Sequence, residues 1–339
     1  MLSKSKMLSK RKIFSLLILV IGISLIVFGM FQRNRGLMLS PFGGKIENTE
    51  KLYDKYSFPR LSERVSPGST IEVNEDKFYF QSEGKRISGA ITYPKGFDKK
   101  HKYPVVVMAR GYVEKEGYKT GTGTKNSAAV YSKNGYVTLA PDFSGYGESD
   151  PEDSNALGAR LSKPVEILDL LASLKYLPYL DLTKVFLWGH SNGGQIMLSV
   201  AEILSKYDLL RGDSSKYGVK GVTLWAPVSK PFPYNILFYT DDASDSGKWL
   251  RGQISEFERD YDVFNYSIDK YFEWISIPLQ IHHGTGDEAV PKSWSDNLVK
   301  TLKNKDKDVI YWTYPGADHN MRPSWDLVVG RDLDFFAGN

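Results

Sequence analysis

The sequence of 339 residues contains no cysteine. Disulfide bonds, thiolate nucleophiles, cysteine-ligated zinc or iron–sulfur sites and lipid anchors on cysteine are therefore excluded. An excess of one charge is also missing, because 44 basic residues nearly balance 40 acidic ones and the net charge is +4. This balance offers no electrostatic footprint for nucleic acid. The length favours one large domain with attachments over two equal domains.

The sequence has one long apolar run, residues 13–31, and it carries no charge over 19 positions. Such a run is long enough to cross a bilayer as a helix, and five basic residues within positions 1–12 precede it. No small-residue cleavage pattern follows the run. The pattern predicts a cytoplasmic basic tail (1–12) and a transmembrane signal anchor (13–31). We therefore expect a single-pass protein of the cell membrane with its remaining chain outside the cytoplasm.

Residues 32–70 mix glycine, proline, serine and charge without periodicity, which predicts a stalk or linker. From residue 71 to residue 339, short apolar strands alternate with helical segments. The predicted strands are 77–81, 87–93, 104–109, 136–140, 185–188, 221–225, 278–282 and 309–314, and the predicted helices lie near 126–133, 164–177 and 194–206. This alternation predicts an α/β domain with a mainly parallel, doubly wound sheet and helices on both faces.

One section, residues 228–274, interrupts the alternation. It is rich in aromatic residues and aspartate. We predict a helical insertion that lies over the sheet like a lid. The alternative interpretation is that most of these aromatic side chains simply pack the domain core.

A candidate nucleophile lies in the segment Gly189-His190-Ser191-Asn192-Gly193, which matches G-x-S-x-G. The segment directly follows the predicted strand 185–188 and directly precedes a predicted helix, which is the setting that a nucleophile elbow requires. The tight turn strains the backbone at Ser191, so Gly189 and Gly193 are expected to prevent clashes. The nucleophile would then lie at a helix N-terminus, where free N–H groups favour a developing oxyanion.

A serine nucleophile needs a general base, and the chain has five histidines. His319 follows the last predicted strand and precedes a C-terminal helix, so it occupies the expected place for the base. His101 lies in a lysine-rich loop. His190 is next to Ser191 in sequence but is expected to point elsewhere, and His282 and His283 end a strand, where packing is the default interpretation.

The acid that orients this base is expected in the loop 283–291, which follows the preceding strand. Asp287 is the first candidate, because a carboxylate there would hold the imidazole in the required tautomer. Glu288 is adjacent to it, and Asp318, next to the base, is the second candidate.

An oxyanion hole needs two backbone N–H groups. Asn192, the residue after the nucleophile, is expected to provide one. The loop after the strand 104–109 reads Arg110-Gly111-Tyr112, and we assign the second donor to the N–H of Tyr112. The alternative is that Tyr112 is an ordinary loop aromatic.

Five segments together carry a family resemblance. They are DLTK at 181–184, GHSNGG at 189–194, PDFSGYGES at 141–149, HHGTGDEAVP at 282–291 and GADH at 316–319. From about residue 75 to the C-terminus the chain resembles the prolyl-oligopeptidase-like (peptidase S9) catalytic domains of the α/β-hydrolases. The resemblance implies cleavage of peptide, acyl-aminoacyl or ester bonds through an acyl-enzyme, without a cofactor or metal. It also implies Ser191, Asp287 and His319 as a catalytic triad.

The chain departs from that family at two places. No β-propeller is predicted between the apolar run and the first strand. The oxyanion loop reads Arg-Gly-Tyr, where many relatives have His-Gly-Gly or His-Gly-Phe.

Three functions remain open at this point. The first is a serine-type peptidase that acts on a short peptide or an acylated amino acid. For a free amino terminus it would need paired carboxylates, and the candidates are Asp241, Asp242 and Asp245, or Glu256 and Glu258. The second is a carboxylesterase on small or envelope-derived esters, with the aromatic insertion lining an acyl pocket. The third is a non-catalytic binding module on the same fold.

Overall fold

The computed structural model describes residues 51–211, 217–240 and 245–339. The predicted cytoplasmic tail, the predicted transmembrane anchor at 13–31 and residues 32–50 of the predicted stalk lie outside the described residues. Within the described ranges, no helix combines the length and the apolar character that a membrane crossing requires.

The described part of the chain forms a sheet of nine strands in the order β1-β2-β3-β5-β4-β6-β7-β8-β9. The first three strands and β5 pair antiparallel, whereas every pairing from β5 through β4 to β9 is parallel. This confirms the predicted mainly parallel sheet. The strands are β1 Glu72–Asn74, β2 Lys77–Ser82, β3 Lys85–Thr92, β4 Tyr103–Ala109, β5 Val137–Pro141, β6 Leu180–His190, β7 Val219–Trp225, β8 Leu279–Gly284 and β9 Val309–Tyr314.

Helices connect the strands and cover both faces of the sheet. In the described residues they are α1 Phe58–Glu63, α2 Lys125–Lys133, α3 Ala156–Leu161, α4 Lys163–Ser173, α5 Asn192–Arg211, α6 Tyr234–Leu237, α7 Lys248–Asp260, α8 Lys292–Lys303 and α9 Trp325–Gly338. Parallel strands need such crossover connections, because a tight turn cannot join them.

The two apolar cores meet at the central strand β4. Val105 and Val107 point into one core with residues of α4 and α5, whereas Val106 and Met108 point into the other with residues of α2 and α9. Successive side chains of a strand face opposite sides of the sheet. A strand that is buried on both sides therefore has a continuous apolar sequence, as residues 105–109 do.

The domain begins earlier than predicted. Residues 51–70 were expected to belong to a stalk, but the compact unit starts at Lys51. Phe58 and Leu61 of α1 are buried in the larger core. The Arg64 guanidinium forms two hydrogen bonds with the Asp169 carboxylate, at 2.6 and 3.0 Å. A helix of six residues has too few apolar positions to show a helical period in the sequence. The packing of this helix depends instead on partners that are distant in sequence.

The insertion at 228–274 lies between β7 and β8. Its described residues contain the helices α6 and α7 and three short 3₁₀ turns. Phe232, Phe257, Tyr266 and Phe272 are buried in the core, as the alternative interpretation predicted. Other aromatic side chains of the insertion are exposed, among them Tyr234, Phe238, Tyr239, Trp249 and Phe264. The alternative interpretation therefore holds for the buried rings, and the lid stays a prediction.

Candidate active site

The candidate nucleophile lies on a strained turn between β6 and α5. Ser191 has φ +57°, a backbone conformation that residues other than glycine rarely adopt. A β-carbon at Gly189 would lie 2.5 Å from the Gly193 carbonyl oxygen, and one at Gly193 would lie 2.0 Å from the Ala109 carbonyl oxygen. Both contacts are too short, so only glycine fits on either side of the nucleophile. The elbow geometry predicted from the motif is therefore present.

The strand β7 holds this turn in place. The Ser191 N–H donates to the Trp225 carbonyl at 2.9 Å, and the Val228 N–H donates to the Ser191 carbonyl at 3.0 Å. These bonds fix the backbone of the nucleophile from both sides. Because this turn ends a central parallel strand, Ser191 lies at the carboxyl edge of the sheet, where ligands of open α/β sheets bind.

The candidate base and acid form a hydrogen-bonded pair. His319 Nδ1 lies 2.8 Å from Asp287 Oδ2. The Asp287 side chain is fully buried, whereas the His319 side chain remains 21% exposed. The N–H groups of Ala289 and Val290 donate to Asp287 Oδ1, each at 2.9 Å. The carboxylate is thus fixed in orientation, and it holds the His319 ring with Nδ1 protonated and Nε2 available as the base.

A second histidine supports the acid. His283 Nε2 lies 3.2 Å from Asp287 Oδ2 and 3.0 Å from the Val290 carbonyl, and its Nδ1 lies 2.7 Å from Ser295 Oγ. Burial raises the pKa of the Asp287 carboxyl. The hydrogen bonds from His283, His319 and Val290 outweigh burial and hold this pKa well below its usual range. Asp287 is therefore ionised throughout the neutral range.

The other candidate acids are placed differently. Asp318 Oδ1 accepts the N–H groups of Asn320 and Arg322 and so shapes the turn around the base. Glu288 is exposed. Of the three acids that the sequence offered, Asp287 is the one that the structure joins to His319. No group of three or more acidic or histidine side chains suited to a metal ion occurs among the described residues.

His190 contacts the base, contrary to the expectation that it points elsewhere. Its Nε2 lies 2.9 Å from the His319 carbonyl oxygen, and the two ring centroids are 4.6 Å apart. Burial and then the nearby His319 lower the pKa of His190 to about 4, so the ring is neutral at pH 7. A carbonyl only accepts, hence Nε2 carries the proton of His190. The residue before the nucleophile therefore holds the backbone of the base.

The loop after β4 touches the nucleophile. A β-carbon on Gly111 would lie 2.9 Å from Ser191 Cβ, so the backbone at this position approaches the serine closely. Arg110 Nη1 donates to the Gly111 carbonyl at 2.9 Å. Because a trans peptide points its C=O and N–H in opposite directions, the Tyr112 N–H points away from Arg110. Tyr112 is 70% exposed, and its predicted role is that of its backbone N–H.

Arg110 fixes this loop, and the sequence analysis assigned it no role. Its Nη2 donates to the Asp142 carbonyl at 3.0 Å, and its guanidinium lies over the rings of Tyr118 and Tyr146, 4.5 and 4.0 Å from their centroids. The Tyr118 hydroxyl in turn donates to the Asp142 carboxylate at 2.6 Å. Arg110 stands out in the sequence because it replaces the histidine of the His-Gly motif. Its partners Asp142 and Tyr146 lie more than twenty residues away from the loop, so the sequence did not indicate these contacts.

The predicted site residues therefore collect at one edge of the sheet. The elbow with Ser191, the His319–Asp287 pair and the Gly111–Tyr112 peptide come from four different loops. Asn192 begins α5, so its N–H is one of the unpaired donors of a helix N-terminus. The roles of Ser191 as nucleophile and of Tyr112 and Asn192 as oxyanion donors stay predictions.

A family model described as "Prolyl oligopeptidase family" matches residues 123–336, more than half of the chain. Protein ABHD12B of Homo sapiens is 23% identical over 227 residues, which cover 64% of this chain and 56% of the human protein. Dipeptidyl-peptidase 5 of Aspergillus fumigatus is 28% identical over 260 residues, which cover 72% of this chain and 32% of the fungal protein. The chain thus spans about half of the human relative and a third of the fungal one.

Solved structures resemble the fold. Est1E from Butyrivibrio proteoclasticus, solved with ferulic acid bound, aligns with a TM-score of 0.55 and 21% identity over 77% of this chain and 98% of the esterase. A puromycin-hydrolyzing peptidase of Mycobacterium tuberculosis aligns with a TM-score of 0.56 and 17% identity over 80% of this chain and 39% of the peptidase. At these identities the likeness shows the α/β-hydrolase fold alone. Together with the family match it shows that this chain belongs to the prolyl oligopeptidase family of serine hydrolases.

Proposed function

We propose that this protein hydrolyses esters or amides of short acyl substrates through an acyl-enzyme on Ser191. The observation that carries the proposal is the hydrogen-bonded pair His319–Asp287. The contact between His190 and the His319 carbonyl connects this pair to the strained serine elbow. A buried carboxylate, a partly exposed imidazole and a serine with forced backbone geometry are the parts that nucleophilic catalysis requires.

In the first half of the reaction, His319 Nε2 accepts the proton of the Ser191 hydroxyl while its oxygen attacks the substrate carbonyl. The negative charge moves to the carbonyl oxygen, where the N–H groups of Tyr112 and Asn192 stabilise it. Asp287 stabilises the imidazolium that forms. His319 then gives its proton to the leaving group as the carbonyl carbon–leaving group bond breaks, and the acyl group stays on Ser191.

In the second half, water replaces the leaving group. His319 accepts a proton from the water as its oxygen attacks the acyl-enzyme, and the same two N–H groups hold the charge. Return of the proton to Ser191 Oγ breaks the ester and releases the acid. No redox step occurs: His319 carries the Ser191 proton to the leaving group and then carries a proton from water back to Ser191 Oγ.

The surroundings of the site favour substrates without a free amino terminus. A pocket beside Asn192 is lined by Arg160, and no carboxylate of the described residues lines it. Of the carboxylates considered for binding an amino group, Asp245 accepts the N–H groups of Gly247 and Trp249 at the start of α7. A cation in the pocket repels an ammonium group, which supports esters and N-acylated aminoacyl bonds over dipeptidyl substrates with a free terminus.

Glu256 and Glu258, the other pair considered, are exposed on α7. Asp241 and Asp242 lie outside the described residues. The support for amino-terminal recognition is therefore limited to the family resemblance.

The test is hydrolysis by the full-length protein of a panel of 4-nitrophenyl esters, N-acetylaminoacyl 4-nitroanilides and dipeptidyl 4-nitroanilides with a free amino terminus. Ser191→Ala should lower kcat about a thousand-fold or more. Ser255→Ala, an exposed serine of α7, is the matched control and should behave as wild type. Near-normal turnover in Ser191→Ala would refute the nucleophile. If the wild type hydrolyses none of the three substrate classes, the result would favour a non-catalytic binding module.

The panel also separates the two hydrolase functions. Serine-dependent cleavage of anilides establishes a peptidase, and cleavage of the esters alone establishes a carboxylesterase. Preference for a free amino terminus over its acetylated form would contradict our interpretation of the pocket.

We further propose that residues 13–31 anchor the protein in the cell membrane with the catalytic domain outside the cytoplasm. The support is the uncharged run of 19 residues and the basic residues before it. The protein should resist extraction from membranes by alkaline carbonate and yield to detergent, and protease added to intact cells should remove its catalytic domain. Release by carbonate would refute the anchor, and protection from the protease would refute the orientation.

A further inference from the structure

A cationic side chain lines a small pocket whose wall includes Asn192, the residue after the candidate nucleophile. Arg160 belongs to α3 and lines a cavity of about 40 Å³ together with Asn192 and Gln195 of α5. The other walls are mostly apolar and include Phe58, Leu61, Ile196 and Phe232. A cavity of this size holds a few water-sized groups and hence the end of a short side chain.

This guanidinium lacks the partner that arginines in such surroundings usually have. Its Nη1 donates to the Asn192 side-chain oxygen at 3.3 Å, and no described carboxylate lies within ion-pair distance of it. Burial lowers the pKa of Arg160, and the phenol of Tyr239 partly opposes this. A guanidinium has five N–H donors, so one long bond to a neutral amide leaves most of them unused.

Two other buried arginine contacts show the contrast. Arg64 forms a two-bond pair with the Asp169 carboxylate. Arg110 donates to two carbonyl oxygens and lies between aromatic rings. Arg110, like Arg160, has no described carboxylate partner, but two carbonyl oxygens and two aromatic rings occupy its guanidinium. Arg160 makes only one long bond to a neutral amide among the described residues.

The pocket is connected to the reacting centre through Asn192. The same residue provides the candidate oxyanion donor with its backbone and accepts from Arg160 with its side chain. Gln195 lies about one helical turn further along α5, and the described residues provide no hydrogen-bond partner for its side-chain amide. Arg160 and Gln195 both line this cavity, and a guanidinium and an amide N–H₂ are donors suited to a carboxylate.

We infer that Arg160, with Gln195, binds a carboxylate of the substrate a few bonds away from the bond that Ser191 cleaves. This inference rests on the proposed hydrolase function and names its substrate class: acyl compounds with an acidic group. The carboxylate has two chemical sources, the side chain of an acidic aminoacyl residue or the free end of a dicarboxylic half-ester. Arg160 acts as a specificity residue and takes part in no proton transfer.

The experiment compares substrate pairs that differ only in this charge. One pair is the 4-nitroanilide of N-acetylglutamate and that of N-acetylglutamine. The other is mono-4-nitrophenyl adipate and its methyl ester, with rates corrected for hydrolysis without protein. In the wild type we expect kcat/KM to favour the carboxylate of at least one pair by about 30-fold, mainly through KM. The pair that shows the preference identifies the source.

The variants then assign the preference to one side chain. Arg160→Met should bring the ratio of kcat/KM between the two members of a pair close to one, and Arg160→Lys should leave an intermediate ratio, since lysine keeps the charge but not the fork. Arg259→Met removes the same charge from an exposed position of α7 and should leave the ratio as in wild type.

The outcomes separate the two proposals. A ratio near one in the wild type, or a ratio that Arg160→Met and Arg160→Lys leave unchanged, refutes the carboxylate site while serine-dependent hydrolysis of the neutral members keeps the proposed function. Absence of Ser191-dependent hydrolysis on all four substrates refutes the proposed function instead. The wild-type comparison stands even if Arg160→Met does not fold.

Discussion

Two of the histidine–aspartate pairs among the described residues differ in what surrounds them. His282 Nε2 lies 3.0 Å from Asp332 Oδ1, and His319 Nδ1 lies 2.8 Å from Asp287 Oδ2. Both side chains of the first pair are completely buried, whereas His319 is partly exposed. By distance and residue type alone the pairs are nearly the same, but their environments give them different tasks.

The first pair is part of a closed hydrogen-bond network. His282 Nδ1 is engaged with the Tyr314 hydroxyl at 2.7 Å. The Asp332 carboxylate also accepts from four further side chains, those of Tyr131, Thr223, Trp225 and Gln280. Every ring nitrogen is used, so His282 has no free position from which to take a proton. The network joins α2, β7, β8 and α9 and is expected to stabilise the fold.

The second pair leaves one nitrogen of its ring for chemistry. Asp287 engages Nδ1 of His319, and the ring lies at the carboxyl edge of the sheet beside the elbow of Ser191. A base needs one nitrogen fixed by a partner and the other facing the reacting group. Access of the second nitrogen, and not the carboxylate partner, therefore distinguishes the predicted catalytic pair from the pair in the closed network.

The largest expected effect is that of Asp287→Asn on activity. The asparagine amide would donate to His319 Nδ1 and shift the ring proton to Nε2, the position that must accept from Ser191. We expect kcat per folded molecule to fall about 1,000- to 10,000-fold. Steady-state kinetics on a 4-nitrophenyl ester measure this. Asp296→Asn, an exposed aspartate of α8, is the matched control, and activity near that of the control would contradict the assignment.

The opposite result is expected for Asp332→Ala in the structural pair. This variant leaves five buried donors without an acceptor, so the free energy of unfolding should fall by about 3–5 kcal/mol. Denaturant unfolding measures the loss, and Asp334→Ala on the exposed side of α9 serves as control. The folded fraction should keep its turnover number. If Asp332→Ala lowered the turnover number without lowering stability, the pair His282–Asp332 would serve catalysis and not only the fold.

A smaller effect is expected for His190→Phe, which keeps a ring against His319 but removes the hydrogen bond to its carbonyl. A neutral hydrogen bond contributes about 1 kcal/mol, so kcat should fall roughly 5- to 10-fold and KM should change little. His190→Gln, which can still donate to that carbonyl, should recover part of the loss. If kcat of both variants equals that of the wild type, the position of His319 does not depend on His190.

The smallest effect concerns pH. The lowered pKa of Asp287 means that its hydrogen bonds stabilise the fold fully above the pKa of an unfolded aspartate, about 4. This contribution is lost as the pH falls toward the folded value. The difference in unfolding free energy between wild type and Asp287→Asn should therefore be constant near neutrality and shrink below about pH 4. A difference that grows on acidification would contradict the sign of the shift.

Much of the fold and part of the site followed from local sequence. The run 104–109 predicted β4 because burial on both faces leaves no polar position in it. The elbow was predictable because Gly189, Ser191 and Gly193 must be close in sequence to make one turn. His319 and Asp287 were placed by their positions after predicted strands, and the structure brings the two together.

Other features depended on contacts between distant segments. Residues 51–70 showed no periodicity, yet Phe58 and Leu61 of α1 are buried in the core, and Arg64 after this helix pairs with Asp169 across 105 positions. The sequence marked Arg110 only as a departure from a motif, and it gave no sign of the contacts that His190 and Arg160 make. Their importance comes from the partners Asp142, His319 and Asn192, at separations of 32, 129 and 32 positions.

The sequence by itself determined the class of fold, the strained serine turn and the residue types of a triad, because strand burial and tight turns are governed by neighbours along the chain. Only the tertiary structure decided which histidine is open to a reacting group, which contacts Arg160 makes and where the domain begins. These properties are set by what surrounds a side chain in space. Burial, hydrogen-bond satisfaction and charge pairing arise when distant segments meet, and no local pattern records them.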